Sequence, residues 1–186
     1  MYSAQNAEKL NFQDNSYDYS FCKESYHHFP RPTIALYEML RVSKFGVVLL
    51  EPNQIESNLY SFFNKEKSKK HTFEPVGNYV YTVSINEIEK LMLGIGLRFY
   101  AVKGINDFYI QGIENIPANG GNIKERFIRF KLKLIIWAKN SAVKLRLKNP
   151  NLLSIIIFKA EPSLKLKNSL IKNGFKFTSL PLNPYE

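Results

Sequence analysis

Two apolar runs, Tyr19-Ser20-Phe21-Cys22 and Val47-Val48-Leu49-Leu50, constrain the fold of this chain more than any other feature. Each suits a strand and is too short for a helix. Each also breaks off into polar residues: the first into Lys23-Glu24-Ser25-Tyr26-His27-His28, the second into Glu51-Pro52. Between them Ile34, Leu36, Tyr37, Leu40 and Arg41 recur at helical spacing. Prolines 30 and 32 stiffen the opening turn of that helix, and Gly46 follows its end. Strand, polar loop, helix and strand make one βαβ unit, and such units place ligands at the carboxyl ends of their strands. The His-His cluster and Glu51 fall there.

The rest of the chain continues the alternation. Before the first run, Gln13-Asp14-Asn15-Ser16 reads as a turn. Over residues 53–80, Ile55, Leu59, Phe62 and Phe63 suggest a short helix, followed by the charged run Lys65 to Lys70. Tyr79 to Val83 is β-prone, and Ser84 with Glu87 has capping-box spacing for a helix ending at Gly94 or Gly96. Leu97 to Ile113 reads as one or two strands with Phe99, Val102, Phe108 and Ile110 inward. Leu152 to Phe158 is the strongest strand, Ser163 to Asn173 a helix closed by Gly174, and Phe175 to Leu180 the last strand. The pattern predicts an α/β sheet with helices on both faces, in which Tyr19–Cys22, Val47–Leu50 and Leu152–Phe158 are interior strands.

Residues 122–148 form the longest helical candidate. Ile123, Phe127, Phe130, Leu134, Trp137, Ser141 and Leu145 follow steps of three and four, a stripe expected to face inward. Ile128, Leu132, Ile135, Ile136 and Val143 make a second strip, also expected to be packed. A partner or a membrane surface is the sharper reading of two apolar faces among basic residues.

Charge is unevenly placed. The net charge is +10, yet residues 1–62 hold five Lys or Arg against seven Asp or Glu. Residues 121–148 hold nine basic residues against Glu125 alone. This balance suits an anionic partner such as a nucleic acid, a membrane surface or a phosphorylated substrate, or else a plain solvated face. No nucleic-acid motif accompanies it. With 186 residues, 45% of them hydrophobic, the chain can bury the core of one domain, 1–186. It lacks a run of about eighteen apolar residues for a spanning helix. The single cysteine fits a reducing, cytoplasmic compartment.

Of the chemistry-bearing residues, His27 and His28 are adjacent and point apart, so with Cys22 and His71 they fit no standard metal spacing. Cys22 sits inside an apolar run and reads as a small buried hydrophobe rather than a nucleophile. Glu24, His27 and His28 together offer an acid-base set at a strand's carboxyl end, or one packed and one solvated histidine. Gly94-Ile95-Gly96 follows a helix and so is no phosphate loop.

The order of these features resembles a known family. NAEKLNFQDNSYDYSFCKESYHHF, residues 6–29, is similar to part of the class I S-adenosylmethionine-dependent methyltransferases of the type 11 kind: an Asp-Ala pair, where this chain has Asn6-Ala7 and so lacks the charge, then a turn, a strand and a His-His pair. ALYEMLRVSKFGVVLLEP, residues 35–52, resembles their next helix and strand, with the pattern E-x-x-R-V-x-x-x-G. The resemblance implies S-adenosylmethionine as cofactor and a Rossmann-like sheet whose third, fourth and fifth strands are residues 1–6, 17–23 and 46–51. It places Asn6 and Ala7 at the adenine, Cys22 and Lys23 along the methionine part, and His27 between cofactor and substrate. Glu24, Tyr26 and His28 would orient or deprotonate a small-molecule, sugar or lipid acceptor.

The same resemblance implies that the family's glycine-rich motif and ribose-binding acid would precede Met1. The chain would then be the C-terminal two-thirds of the fold, with its first two strands missing and 53–80 and 114–150 as insertions or cover segments. An open sheet edge, self-association and weak cofactor binding by the isolated chain are the expectations that follow. A rival from another class is a non-catalytic remnant or interaction protein that binds an anionic partner through its basic helix.

Overall fold

The computed structural model describes residues 3–53, 79–106, 113, 116–145, 147 and 149–185. The expected βαβ unit opens the chain. Strand β1 (Tyr17–Lys23) leads through a single 3₁₀ turn (Tyr26–His28) into helix α1 (Pro32–Val42), and β2 (Ser43–Pro52) returns parallel to β1. Then come α2 (Ile85–Gly94), β3 (Phe99–Ile105), α3 (Ile123–Lys144), β4 (Leu152–Phe158), α4 (Leu164–Lys172) and β5 (Lys176–Ser179). The five strands form one sheet in the order β1-β2-β4-β3-β5. β4 is antiparallel to both β2 and β3, and β5 is antiparallel to β3.

Alternation along the strands explains the two-sided covering. Val47 and Leu49 pair with Ile157 and Ile155, which pair in turn with Tyr100 and Val102. This face buries its side chains in one cluster with Leu36, Met39 and Leu40 of α1 and Ile88 and Met92 of α2. The opposite face carries Phe99, Phe158 and Phe177, whose rings lie 6.3–6.4 Å from Phe177. Lys167 of α4 sits over the Phe99 and Phe177 rings there, so a helix covers this face too. The fold is therefore α/β and Rossmann-like, as the sequence predicts.

The helix signals hold in detail. Ser84 and Glu87 form the capping box of α2, Asn122 and Glu125 that of α3, and Ser163 caps α4. Gly174 takes φ +82° behind α4, a conformation that glycine adopts without steric cost. Gly46, expected just past the end of α1, lies instead inside β2, because the helix ends at Val42 with Ser43 as its extended cap. It faces Phe158 across the ladder, and a Cβ there would lie 2.0 Å from the Ile157 carbonyl oxygen.

Four further expectations fail. Residues 3–6 form no strand; Asn6 bridges Lys9 across a turn instead. Tyr79–Val83 carries only bridges, one of them between Asn53 and Val83. β1 lies at the sheet's edge rather than inside it, because Tyr17, Tyr19 and Phe21 turn outward and are exposed. α3 has no buried residue among those described, and its presumed inward stripe is open, from Ile123 at 84% to Trp137 at 69%. Periodicity located that stripe but could not say which way it faces. The short helix and lysine run over 54–70, as well as Phe108 and Ile110, lie outside the described residues.

Candidate functional site

The carboxyl ends of β1 and β2 meet at Glu51, a carboxylate with no exposed surface. A buried charge needs partners, and Glu51 has four. Its Oε1 accepts the backbone N–H groups of Ser25 and Tyr26, each at 3.1 Å, and the Cys22 thiol at 3.5 Å. Its Oε2 lies 2.7 Å from Nδ1 of His27, itself buried. One side chain thus fixes the start of the 3₁₀ turn and the ring that the turn carries. A carboxylate oxygen only accepts, so Nδ1 is the nitrogen that carries a proton in this contact.

Glu51 also governs Cys22. Burial, reinforced by the neighbouring Glu51 charge and hydrogen bond, pushes the thiol up to about 12. It is protonated at neutral pH and is a donor, not a nucleophile. Burial likewise raises the Tyr26 phenol, so it too keeps its proton.

A second construction holds the residues before β1. Arg41 donates from NH1 to the Phe12 carbonyl at 2.8 Å and to Asp14 at 2.7 Å, and from NH2 to the Leu10 carbonyl at 2.8 Å. Glu38 accepts from Arg41 and, at 2.8 Å, from the Leu10 N–H, and the Arg41 hydrogen bonds hold its carboxyl below the usual range. The Glu38-x-x-Arg41 pair is therefore a clamp on the loop at 10–14. That loop, β1 and the end of α1 enclose an open groove of about 420 Å³, lined by Ala7, Phe12, Tyr19, Cys22, Lys23 and Ser25 among others. The volume lies within the roughly 300–1,000 Å³ of small-molecule sites.

The residues singled out by sequence separate into groups. Ala7, Cys22 and Lys23 share the groove. Asn6 is exposed outside its lining, and its Oδ1 caps the Glu8 N–H at 3.0 Å. Glu24 is exposed, takes the left-handed φ of +46° and pairs with Lys23 at 3.6 Å. His28 is exposed, its ring 4.0 Å from that of His27. The carboxylate bonded to His27 is thus Glu51 rather than Glu24. Sequence reasoning set Glu51 at the ligand-bearing ends of the strands but did not pair it with His27. Its signal was an acid closing an apolar strand level with the polar end of the neighbouring one. A second groove, of about 710 Å³, is lined by Tyr26 and Thr33 on one side and by Tyr81 and Glu87 on the other.

Comparison with known proteins bears on the same stretch. Residues 1–50 match the sequence profile of a family described as "Methyltransferase domain". A search of curated proteins returns no match. Among solved structures, a SAM-dependent methyltransferase from Thermotoga maritima is similar at 20% identity and a TM-score of 0.48, over 84% of this chain and 62% of that one. A methyltransferase of Haloferax volcanii, solved in complex with a methyltransferase activator, gives 15% and 0.49 over 86% of this chain and 60% of that one. A SAM-dependent methyltransferase from Archaeoglobus fulgidus gives 17% and 0.49, over 84% and 66%. The chain thus spans about three-fifths of the first two. The stretch that carries Ala7, Cys22, Lys23 and His27 thus matches methyltransferase-domain sequence, and it opens the α/β sheet.

Proposed function

We propose that this chain forms the acceptor-facing part of an S-adenosylmethionine-dependent methyltransferase, working in a reducing cytoplasmic compartment. One observation carries the reading. The family-matched residues fold so that Ala7, Cys22 and Lys23, assigned to the cofactor by resemblance, line one groove. The groove fits the group chemically. Aromatic side chains, Phe12 and Tyr19 among them, offer surfaces to a heterocycle, and Lys23 offers a cation to a carboxylate.

In this arrangement the Ala7 backbone borders the adenine, with Asn6 beside it, and Cys22 and Lys23 border the methionine part. When bound, the cofactor would supply a sulfonium-activated methyl group, which the acceptor nucleophile would attack in line, its bond to the methyl carbon forming as the C–S bond breaks and S-adenosylhomocysteine leaves. The chain's own residues position the acceptor, which is where such enzymes gain much of their rate. His27, its Nδ1–H held by Glu51, takes the acceptor's proton on Nε2. Glu24, Tyr26 and His28 orient the acceptor around it. The second groove, of about 710 Å³, has room for a small-molecule, sugar or lipid acceptor.

The test is to titrate the isotope-labelled chain with S-adenosylhomocysteine and follow amide chemical shifts, which register even weak binding. Shifts at Ala7, Cys22 and Lys23, abolished by Ala7→Trp, support the proposal. Shifts clustered elsewhere, or none at saturating ligand, overturn it.

A further inference from the structure

Helix α3 has two different sides. Arg129 reaches back to the Pro117 and Gly120 carbonyls, and Asn140 accepts from Asn106 at 2.9 Å. These contacts tie one side of the helix to the loop before it and to the residue after β3. Ile128, Ile135 and Ile136 of the second strip, expected to be packed, are only 36–44% exposed. The stripe of Ile123, Phe127, Phe130, Leu134, Trp137 and Leu145 lies on the other side and is 49–84% exposed. At helical spacing Arg126, Lys133 and Lys144 run along one border of the stripe, and Lys124 and Lys131 along the other. Lys131 folds its ammonium over the Phe127 ring at 4.7 Å.

Bulky apolar side chains in the centre, cations on both borders and a helix of 22 residues that cannot span suit an interfacial segment. Its length, about 33 Å at 1.5 Å per residue, lies along a surface. Charge decides the occupant. Glu125, engaged in the capping box, is the one acidic residue of α3, so a second copy would set cation against cation. A nucleic acid would meet its phosphates with a central strip of Phe, Leu and Trp rather than a basic track. Anionic headgroups over an acyl layer satisfy both parts of the pattern.

We infer that α3 docks the protein on an anionic lipid bilayer, its Phe-Leu-Trp stripe entering the interface between two rows of Lys and Arg. The inference does not depend on the cofactor proposal.

Trp137 is the chain's sole tryptophan, so its fluorescence reports the contact directly. The purified chain is mixed with vesicles of phosphatidylcholine alone or of phosphatidylcholine with phosphatidylserine. With phosphatidylserine, emission should move to shorter wavelength, acrylamide quenching should fall, and the protein should float with the vesicles. Each basic residue near such a surface is worth about fivefold in affinity. Lys131→Glu with Lys133→Glu, one on each border, should therefore weaken binding by at least about twentyfold. Phe130→Ser with Leu134→Ser should remove the spectral shift. An unchanged Trp137 spectrum with phosphatidylserine vesicles overturns the inference. So does shielding of Trp137 by duplex DNA but not by vesicles, or shielding that grows with protein concentration in the absence of lipid. The wild-type spectra decide the matter even if a variant fails to fold.

Discussion

Removing the Glu51 carboxylate tests the idea that it builds the site. In Glu51→Leu the Tyr26 N–H and the His27 Nδ1–H lose their acceptor inside a buried region, whereas Ser25 is exposed and its N–H can turn to water. A buried donor left unpaired costs about 1–3 kcal/mol, so the two together cost roughly 2–6. Burying the leucine side chain returns part of this, leaving a loss of roughly 2–4 kcal/mol. Glu51→Gln keeps the shape and an acceptor for the two backbone donors. It presents an amide N–H to His27, however, so the ring must carry its proton on Nε2. Exchanging charge-assisted for neutral hydrogen bonds lowers stability by about 1–2 kcal/mol. Urea unfolding should therefore rank wild type above the glutamine variant and that above the leucine variant. Nitrogen chemical shifts of the ring should show the change of tautomer. Adding His27→Leu to Glu51→Leu should restore much of the loss, since removing both members of a buried pair is far milder than removing one. Glu51→Leu within half a kcal/mol of wild type (roughly the uncertainty of such measurements), or an unaltered tautomer in Glu51→Gln, would refute the reasoning.

Two further outcomes follow from single positions. Gly46→Ala would set a methyl 2.0 Å from the Ile157 carbonyl oxygen, so β2 and β4 must separate; overpacking of this kind costs about 1–3 kcal/mol, and a melting temperature equal to wild type would contradict it. Native Cys22, with its thiol pushed up to about 12, should react with iodoacetamide far more slowly at pH 8 than in urea. Because the folded value is raised, the stability it contributes is complete below the unfolded thiol's value of about 8.5 and is lost as pH climbs from there toward 12. Labelling of the native chain as fast as that of the unfolded chain would show the thiol to be open.

The βαβ unit and the central β4 were legible because their signals are local: apolar runs of strand length and, between the first two, a helical repeat opened by a proline. What covers each element was not. β1 reads as apolar because Cys22 faces the core while Tyr19 and Phe21 face outward, and a run alone does not distinguish that from burial on both faces. The α3 stripe has the spacing of a core face and the surroundings of an open one. At the site, adjacent histidines drew attention to Glu24 by proximity in sequence. The partner of His27 comes instead from a parallel strand, because Cys22 pairs in register with Leu49 and brings Glu51 level with the turn. Glu38 and Arg41, read only as a family pattern, proved to have mechanical work in clamping the loop at 10–14.

The placement of β4 between β2 and β3 sets the order in which the chain can assemble. Pro52 of β2 pairs with Leu152 of β4, and the register runs back from there to Gly46 with Phe158. Helix α1 and strand β1 can form around β2 early, but the other side of β2 waits for residues made about a hundred positions later. At a synthesis rate of about 5–20 residues per second, Val47 and Leu49 stand with one unpaired edge for roughly 5–20 s. Such non-local pairing slows folding and leaves a strand open to wrong partners. The β1-α1-β2 unit is thus the segment of this protein with most to gain from a holding chaperone on the ribosome, and pulse-labelled hydrogen exchange should find the β2–β4 amides among the last to be protected.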